Sequence, residues 1–258
     1  MVKLFIDPGH GGTDPGAVGH GLQEKALTLE IGRQIRDILL REYVGVDVKM
    51  SRTTDVFLPL TERTRLANQW GATYFVSIHI NAGGGSGFET FVHSSRRTQT
   101  VKLQSVMHDE MMTRLQVADR GQKAADFAVL RGTKMPAILT ENLFIDRTTD
   151  AHKLKSGAFL RLVAEAHVFG LAQAFQLQKK SVIPSQNSMY RVQSGSFEVM
   201  KNANQVKKKI EEAGYSPFIR LENGLHKVQV GAFSNQSNAE SLAAELRKKG
   251  FTAGVFRS

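Results

Sequence analysis

The sequence predicts an α/β protein: a mostly parallel sheet flanked by helices over residues 1–178, followed by a small ferredoxin-like α+β domain (βαββαβ) over 189–258. Three observations lead to this prediction. Apolar runs alternate with helical periodicity in the first part, a polar stretch interrupts the pattern at 179–188, and the last part repeats itself. With 258 residues, 41% of them hydrophobic, the chain can form one medium and one small core.

In the first domain each apolar run precedes a segment with apolar residues three and four apart. Strands are predicted at 2–6, 46–50, 74–78, 87–92 and 137–140. Helices are predicted at about 25–42, 60–70, 101–115 and 151–175. Alternation of this kind favours a mostly parallel sheet with helices on both faces, because each helix carries the chain back across the sheet.

Residues 179–188 are polar and aperiodic and contain one proline, so we interpret them as a linker. Beyond them the chain repeats with an offset of 36 residues, so that Val192 and Gln193 correspond to Val228 and Gln229. Each copy begins as an alternating strand and continues as an amphipathic helix. An Asn-Gly pair between two of the strands predicts a hairpin turn, which completes the ferredoxin-like order.

The composition limits which partners and which metal ligands are expected for this protein. A net charge of +10 and a pI of about 9.9 favour polyanionic partners such as nucleic acid, anionic lipid or an anionic cell wall. The absence of cysteine excludes disulfides and thiolate ligands, so a metal would have to be bound by histidine and carboxylate. No uninterrupted apolar run approaches the ~20 residues of a membrane span, and the N-terminus has no recognisable signal peptide.

Four polar residues lie where the chemistry of an α/β sheet is expected. His10, His79 and Glu141 each follow a predicted strand, and Glu24 lies at the start of the first helix, after the glycine-rich loop that carries His10. Reactive crevices in open α/β sheets lie outside the carboxyl ends of the strands. A single histidine there is more often a packing residue, but two histidines and two glutamates at converging strand ends predict a metal site with a nearby base.

Hydrolytic zinc sites usually have three protein ligands and an open position for water. His10, Glu24 and His79 supply such a set, which predicts one Zn²⁺ per chain, although Mn²⁺ or Co²⁺ also suit these ligands. Glu141 is then the candidate catalytic residue, as a base for the zinc-activated water and an acid for the leaving amine. Arg52 follows the second strand, and we consider two roles for it: substrate binding, or a structural salt bridge to Asp55 or nearby.

Five motifs of this sequence resemble those of the zinc-dependent N-acetylmuramoyl-L-alanine amidases. They occur in the family's order over residues 1–177: Asp7-Pro8-Gly9-His10-Gly11-Gly12, Leu22-Gln23-Glu24-Lys25, Ser51-Arg52-Thr53, Ser77-Ile78-His79-Ile80-Asn81 and Thr140-Glu141-Asn142. The resemblance implies zinc on His10, Glu24 and His79, and Glu141 as the catalytic glutamate. It implies cleavage of the amide between N-acetylmuramic acid and L-alanine of the stem peptide. Arg52 and Asn81, which lie in these motifs, are candidate substrate contacts.

The C-terminal module resembles the sporulation-related repeat (SPOR) domain, which binds the glycan strands of peptidoglycan. Because strand residues alternate between faces, we expect Val192 and Val228 to point into the core, and Gln193 and Gln229 to lie on the open sheet face as glycan-binding residues. An amidase followed by this module resembles Bacillus-type sporulation mother-cell wall lytic amidases and also phage endolysins. The expected partner is peptidoglycan, with no nucleic acid or protein partner, and the expected location is the cell wall, reached by secretion or by lysis.

Three other interpretations remain open. The module has the strand order of an RNA recognition motif, and residues 249–256 partly mimic one of its signatures. The first domain fits a different zinc hydrolase, such as a peptidase or deacetylase. A protein that only binds the wall, with an inactive metal site, is the third. Release of a free N-terminal L-alanine from peptidoglycan distinguishes the amidase from the last two.

Overall fold

The computed structural model describes residues 1–180 and 189–257, and the chain forms two compact units that divide after Lys180. Most of the predicted linker, residues 181–188, lies outside the described residues. The two described residues at its start are bound to the first unit. The backbone N–H of Lys180 donates to the carbonyl of Glu42 (2.7 Å), and Lys179 forms a bridge with Tyr43.

The first unit alternates strands and helices. Its elements are β1 (Val2–Pro8), β2 (Val18–Gly19), β3 (Leu22–Gln23), α1 (Glu24–Glu42), β4 (Val46–Met50), α2 (Leu60–Trp70), β5 (Tyr74–Asn81), β6 (Phe88–His93), α3 (Thr98–Leu115), β7 (Asp119–Ala125), α4 (Ala128–Gly132), β8 (Ala137–Phe144), α5 (Thr148–Leu154) and α6 (Gly157–Phe175).

Six of these strands form one sheet in the order β4-β1-β5-β8-β6-β7. The pairs β1–β4, β1–β5, β5–β8 and β6–β7 are parallel, and only β6–β8 is antiparallel. The predicted mostly parallel sheet is therefore confirmed. Because the central strands are buried on both faces, they read as continuous apolar runs, and their first residues match the prediction. Their ends lie two to four residues later than predicted, so that His79 and Glu141 lie within β5 and β8.

Besides the short elements β2, β3 and α4, which the sequence did not predict, two features of the first unit differ from the sequence prediction. The last helix is two helices, α5 and α6, separated at Ser156, whose side chain caps α6 by accepting from the N–H of Phe159. The strand β7 was not predicted, because its sequence Asp-Arg-Gly-Gln-Lys-Ala-Ala has no apolar alternation. It is an edge strand, and edge strands commonly carry charged residues that discourage pairing with other chains.

The core of the first unit lies on both faces of the sheet. One face packs α1, α3 and α6 around β1, β5 and β8, and a smaller cluster on the other face includes Phe5, Phe75 and Leu139. Within the described residues, α6 alone is long and apolar enough by composition to cross a membrane. Its fully buried residues Val163, Ala164 and Leu171 belong to the main core, so its apolar character is explained by packing against α1 and α3.

The second unit has the predicted ferredoxin-like order. Its elements are β9 (Tyr190–Phe197), α7 (Met200–Glu212), β10 (Phe218–Glu222), β11 (Leu225–Phe233), α8 (Gln236–Lys248) and β12 (Gly254–Arg257). The sheet is antiparallel, in the order β10-β11-β9-β12. The Asn-Gly turn is confirmed, because Asn223 and Gly224 both have positive φ (52° and 76°), as a tight hairpin turn requires.

Candidate active site

The carboxyl ends of β1, β5 and β8 bring the predicted site residues together. His79 on β5 and Glu141 on β8 are direct register partners, so their side chains lie side by side on one face of the sheet. His10 follows β1 with φ of 61°, a left-handed conformation that is uncommon for a residue with a side chain. Such conformations concentrate at functional sites, where surrounding contacts hold them in place.

Three side chains converge on one point. Ligand atoms of His10, Glu24 and His79 all lie within 4.8 Å of one another. His10 Nε2 is 3.2 Å from Glu24 Oε2, and His79 Nδ1 is 2.9 Å from Glu24 Oε1. Burial by itself would raise the pKa of Glu24, but hydrogen bonds with the two histidines hold that pKa well below its usual range. This group could hold a metal ion through two imidazoles and one carboxylate.

Two glycines permit this close approach. A Cβ on Gly9 would lie 2.4 Å from His79 Cε1, and a Cβ on Gly16, whose φ is +65°, would lie 2.6 Å from Glu24 Oε2. Both distances are shorter than any real Cβ contact, so a side chain at either position would push a ligand away. The backbone of the loop after β1 therefore forms part of the wall of the site.

Asp14 is a site residue that the sequence interpretation missed. Its Oδ2 lies 2.8 Å from His10 Nδ1, so a proton on Nδ1 is shared with the carboxylate, and Nε2 is left facing Glu24. Metal-binding histidines typically donate their other ring N–H to a carboxylate in this way, which fixes the tautomer and the ring orientation. Its position four residues after His10 in the glycine-rich loop was the available signal.

Glu141 lies beside the three ligands but is not one of the group. Its Oε2 is buried and has no hydrogen-bond partner, which is costly unless something outside the chain uses that atom. Burial raises the pKa of the Glu141 carboxyl to about 7, although His79 opposes the shift; Glu24 and Glu89 add to it. A carboxyl with this pKa can both accept and donate a proton near neutrality, as a general acid–base residue must.

Arg52 is buried, with only 2% of its surface exposed. Its guanidinium donates to the carbonyls of Pro8 (3.0 Å), Gly9 (2.8 Å) and Lys25 (2.8 Å). The suggested salt bridge to Asp55 is instead made by Lys25, at 2.9 Å. This placement favours the structural role for Arg52 over substrate contact, because its donors hold the backbone that leads into the His10 loop.

Arg63, on α2, is a second structural arginine, and nothing in the sequence distinguished it. It is 2% exposed, and it donates to Asp7 Oδ1 (2.9 Å) and to the carbonyls of Pro8 (2.7 Å) and His10 (2.7 Å). Asp7 is fully buried and also accepts from the Ser77 hydroxyl. The buried ion pair thus connects α2 to the end of β1 and fixes the carbonyl of a metal-ligand candidate.

Asn81, the other candidate substrate contact, lies at the end of β5. Its Nδ2 donates to Glu89 Oε1 at 2.8 Å, and its Oδ1 accepts from the N–H of Ala82. Glu89 on β6 is the register partner of Glu141, so both carboxyls lie on the same face of the sheet. Asn81 therefore borders the site without touching the ligand group.

A cavity of about 510 Å³ opens beside the ligands. His10, His79 and Glu141 form its polar end. The other walls are mainly apolar and come from the loop before α2 and from the region of α4: Phe57, Leu58, Leu60, Phe127, Ala128 and Val129. A concave, largely apolar space with a few convergent polar groups is the usual form of a small-molecule or substrate site.

In the second unit, Val192 and Val228 are fully buried as predicted. Gln193 and Gln229 are register partners on the opposite face, and each Nε2 donates to a carbonyl two residues along its own strand. The expectation that both amides are exposed is wrong for Gln229, which is only 6% exposed. It lies in the row between Gln193 and Phe218, so its neighbours across the strands limit access to it.

Comparison with known proteins agrees with this architecture. The family model described as N-acetylmuramoyl-L-alanine amidase matches residues 4–173, and the SPOR domain model matches residues 167–221 and 222–258. The chain is 49% identical over 222 residues to the sporulation-specific N-acetylmuramoyl-L-alanine amidase of Bacillus subtilis, covering 86% of each chain. It is also 48% identical over 188 residues to the endolysin of Bacillus phage SPP1, covering 70% of this chain and 69% of the endolysin.

Solved structures show the same fold for the first unit. The catalytic domain of CwlV, an N-acetylmuramoyl-L-alanine amidase from Bacillus (Paenibacillus) polymyxa var. colistinus, aligns with a TM-score of 0.66 at 31% identity. The alignment covers 69% of this chain and all of that domain. The chain therefore belongs to the N-acetylmuramoyl-L-alanine amidase family and is a peptidoglycan hydrolase with a C-terminal SPOR domain, as the sequence resemblance predicted.

Proposed function

We propose that this amidase acts on the cell wall through one Zn²⁺ per chain, bound by His10, Glu24 and His79, with Glu141 as the general base. One observation carries the proposal: two imidazoles and a carboxylate lie within 4.8 Å of one another, beside a buried carboxyl oxygen that has no partner. The first three groups are the ligand types of hydrolytic zinc sites. The fourth is a base that is free to contact a water or substrate.

The donor set fits the ion. Two imidazole nitrogens and one carboxylate, with ligand atoms within 4.8 Å of one another, would hold Zn²⁺ and leave a position for water. The pKa of Glu24, held well below its usual range, keeps this carboxylate ionised. The contact of Asp14 with Nδ1 of His10 leaves Nε2 as the ring nitrogen that faces Glu24, the orientation in which it would bind a metal.

The chain's own residues perform the proton transfers. A bound Zn²⁺ supplies Lewis acidity, which polarises the scissile carbonyl and lowers the pKa of water. Glu141 accepts the proton of the attacking water on its unpartnered Oε2 and then donates it to the nitrogen of the departing L-alanine. The apolar walls of the adjoining cavity reduce the water around these groups, which strengthens their electrostatic interactions.

The first test combines the product with the metal. Purified peptidoglycan treated with the protein should gain free N-terminal L-alanine, detected by labelling of new amino groups and identification of the labelled residue. Chelation should abolish the reaction, and Zn²⁺ should restore it, because the proposed mechanism needs the Lewis acidity that the ion would supply. New reducing sugars, or other peptide amino ends, would contradict the amidase assignment. Full activity in protein shown by elemental analysis to be metal-free would contradict the zinc proposal.

We also propose that the second unit binds the glycan strands through the open face of its sheet. Gln193 is accessible there, and two exposed aromatic residues, Phe218 (47% exposed) and Phe256 (53%), lie on the same face by strand register. Aromatic rings pack against the C–H faces of sugars, while the Gln193 amide can bond acetamido and hydroxyl groups. Since Gln229 is only 6% exposed, Gln193 is the glutamine that we assign to glycan contact.

The full-length protein with Gln193→Ala and Phe256→Ala should bind peptide-stripped glycan strands about tenfold more weakly in a pull-down, because an aromatic contact and an amide contact are lost. Cleavage of small soluble muropeptides should be unchanged, since the first unit holds the metal-ligand candidates. Gln236→Ala, at an exposed position at the start of α8, is the matched control. Unchanged glycan binding in the double variant would exclude this face.

A further inference from the structure

The strand next to Glu141 carries a charged cluster that the mechanism above does not use. Glu89 on β6 is 4% exposed and accepts from three side chains: Asn81, Arg120 and Lys123. Both cations lie on the edge strand β7. We call Glu89, Arg120 and Lys123 the edge cluster.

Arg120 is held in one orientation. Its Nε donates to Glu89 Oε2 at 2.9 Å, and its guanidinium stacks over the ring of Phe144 at 4.7 Å from the centroid. Phe144 is itself buried (3% exposed), so it provides a fixed support. Within the described residues no protein acceptor is found for the two terminal nitrogens of Arg120, and its side chain is 35% exposed. A stacked guanidinium with free terminal N–H groups is a preformed site for a carboxylate.

The charges of the edge cluster do not balance. Two cations share the single carboxylate of Glu89, and the side chain of Lys123 is 38% exposed, with its Nζ also near the ring of Phe91. Within the edge cluster itself, the cations exceed the carboxylates by one. Surface cations in excess of their partners favour an anionic ligand, and the half-buried setting makes the attraction stronger than in bulk water.

The distance from the reacting bond limits which part of a substrate can reach this charge. Glu89 is the register partner of Glu141, and β7 lies one strand further, so the edge cluster begins about 5–10 Å from Glu141 at ordinary strand spacing. An extended peptide advances about 3.3–3.6 Å per residue. The second residue of the stem peptide therefore falls at the edge cluster when the L-alanine amide lies at Glu141.

We infer that the edge cluster is a specificity site for the peptide side of the substrate, in which Arg120 and Lys123 bind the free α-carboxylate of the γ-linked glutamate that follows L-alanine. This inference rests on the proposed function, because the position of the glutamate is counted from a scissile amide placed at Glu141. The apolar cavity is left to the glycan side of the substrate. Arg63, a cation in its lining, is already bonded to Asp7 and to backbone carbonyls. Amidation of that carboxyl removes the charge and one acceptor oxygen.

The test uses two muropeptides that differ only in whether the α-carboxyl of the glutamate is free or amidated. Wild-type protein should favour the free acid by about tenfold or more in kcat/KM, as expected for hydrogen bonds to a charged group. Arg120→Gln should lower kcat/KM for the acid about tenfold and leave the amide within about twofold. Arg120→Lys keeps the positive charge but lacks the paired N–H donors of a guanidinium. Its kcat/KM for the acid should therefore lie between those of the wild type and Arg120→Gln. Arg161→Gln, an exposed arginine on α6 paired with Glu165, is the matched control.

Binding gives a second readout that does not depend on turnover. The Glu141→Gln protein should bind the acid more tightly than the amide by calorimetry, and adding Arg120→Gln should remove the difference. If Arg120→Gln lowered kcat/KM by the same factor on both substrates, the inference would be overturned, because Arg120 would then act only through Glu89 and Phe144. Absence of any acid preference in wild type would overturn it too. Failure to release L-alanine, with the binding difference intact, would contradict only the proposed function.

Discussion

Replacing Glu141 with glutamine is expected to lower the rate of amide cleavage by about 10²–10⁴, the usual contribution of a general base. Glutamine keeps the shape of the side chain but cannot accept a proton at neutral pH. Glu141 is outside the group of ligand atoms, so the variant should retain its full metal content. The measurement is kcat on a soluble muropeptide together with elemental analysis of the same preparation.

Two further variants distinguish the role of a general base from that of a metal ligand. His79→Ala should lose both activity and metal, because it removes one of three ligands. Glu165→Gln, on the exposed side of α6, should change neither. If Glu141→Gln released the metal while His79→Ala retained it, the roles of these two neighbours across β5 and β8 would have to be exchanged.

Replacing Arg63 with methionine is expected to lower the free energy of unfolding by about 3–5 kcal/mol, a large part of the stability of an ordinary domain. The change leaves the carboxylate of Asp7 buried without its cation. It also removes the donor to the carbonyl of His10 and one of the two arginine donors to the carbonyl of Pro8. Unfolding in denaturant, followed on the metal-free protein, measures the loss without a contribution from metal binding.

Two further variants distinguish a buried ion pair from a general sensitivity of α2. Arg65→Met, two residues away on the same helix, removes an exposed pair with Glu62 and should cost less than about 1 kcal/mol. Asp7→Asn combined with Arg63→Met should be more stable than Arg63→Met alone, because the unpaired charge is gone. Equal stabilities of the Arg63→Met and Arg65→Met proteins would show that the buried pair contributes little.

Much of the first unit could be predicted from the sequence, for a physical reason. Strands buried on both faces must be apolar throughout, so β1, β5 and β8 appear as runs that end abruptly at polar residues. Those ends are where an α/β sheet presents its chemistry. The two histidine candidates and the base therefore follow from strand positions, and Glu24 follows from the start of α1 after the His10 loop. The edge strand β7, which is polar and largely exposed, could not be predicted in this way.

The sequence by itself determined the two-unit organisation, the fold class, and the three residues that converge as a possible metal site, since each depends on local patterns and on strand order. Only the tertiary structure decided which polar residues face the substrate. Arg52 and Arg63 are turned inward to backbone carbonyls, Gln229 is covered by its neighbours, and Arg120 points outward from an unpredicted strand. The reason is that hydrogen bonds between residues 30 to 60 positions apart, and the crowding of side chains on one sheet face, leave no periodic signal along the chain.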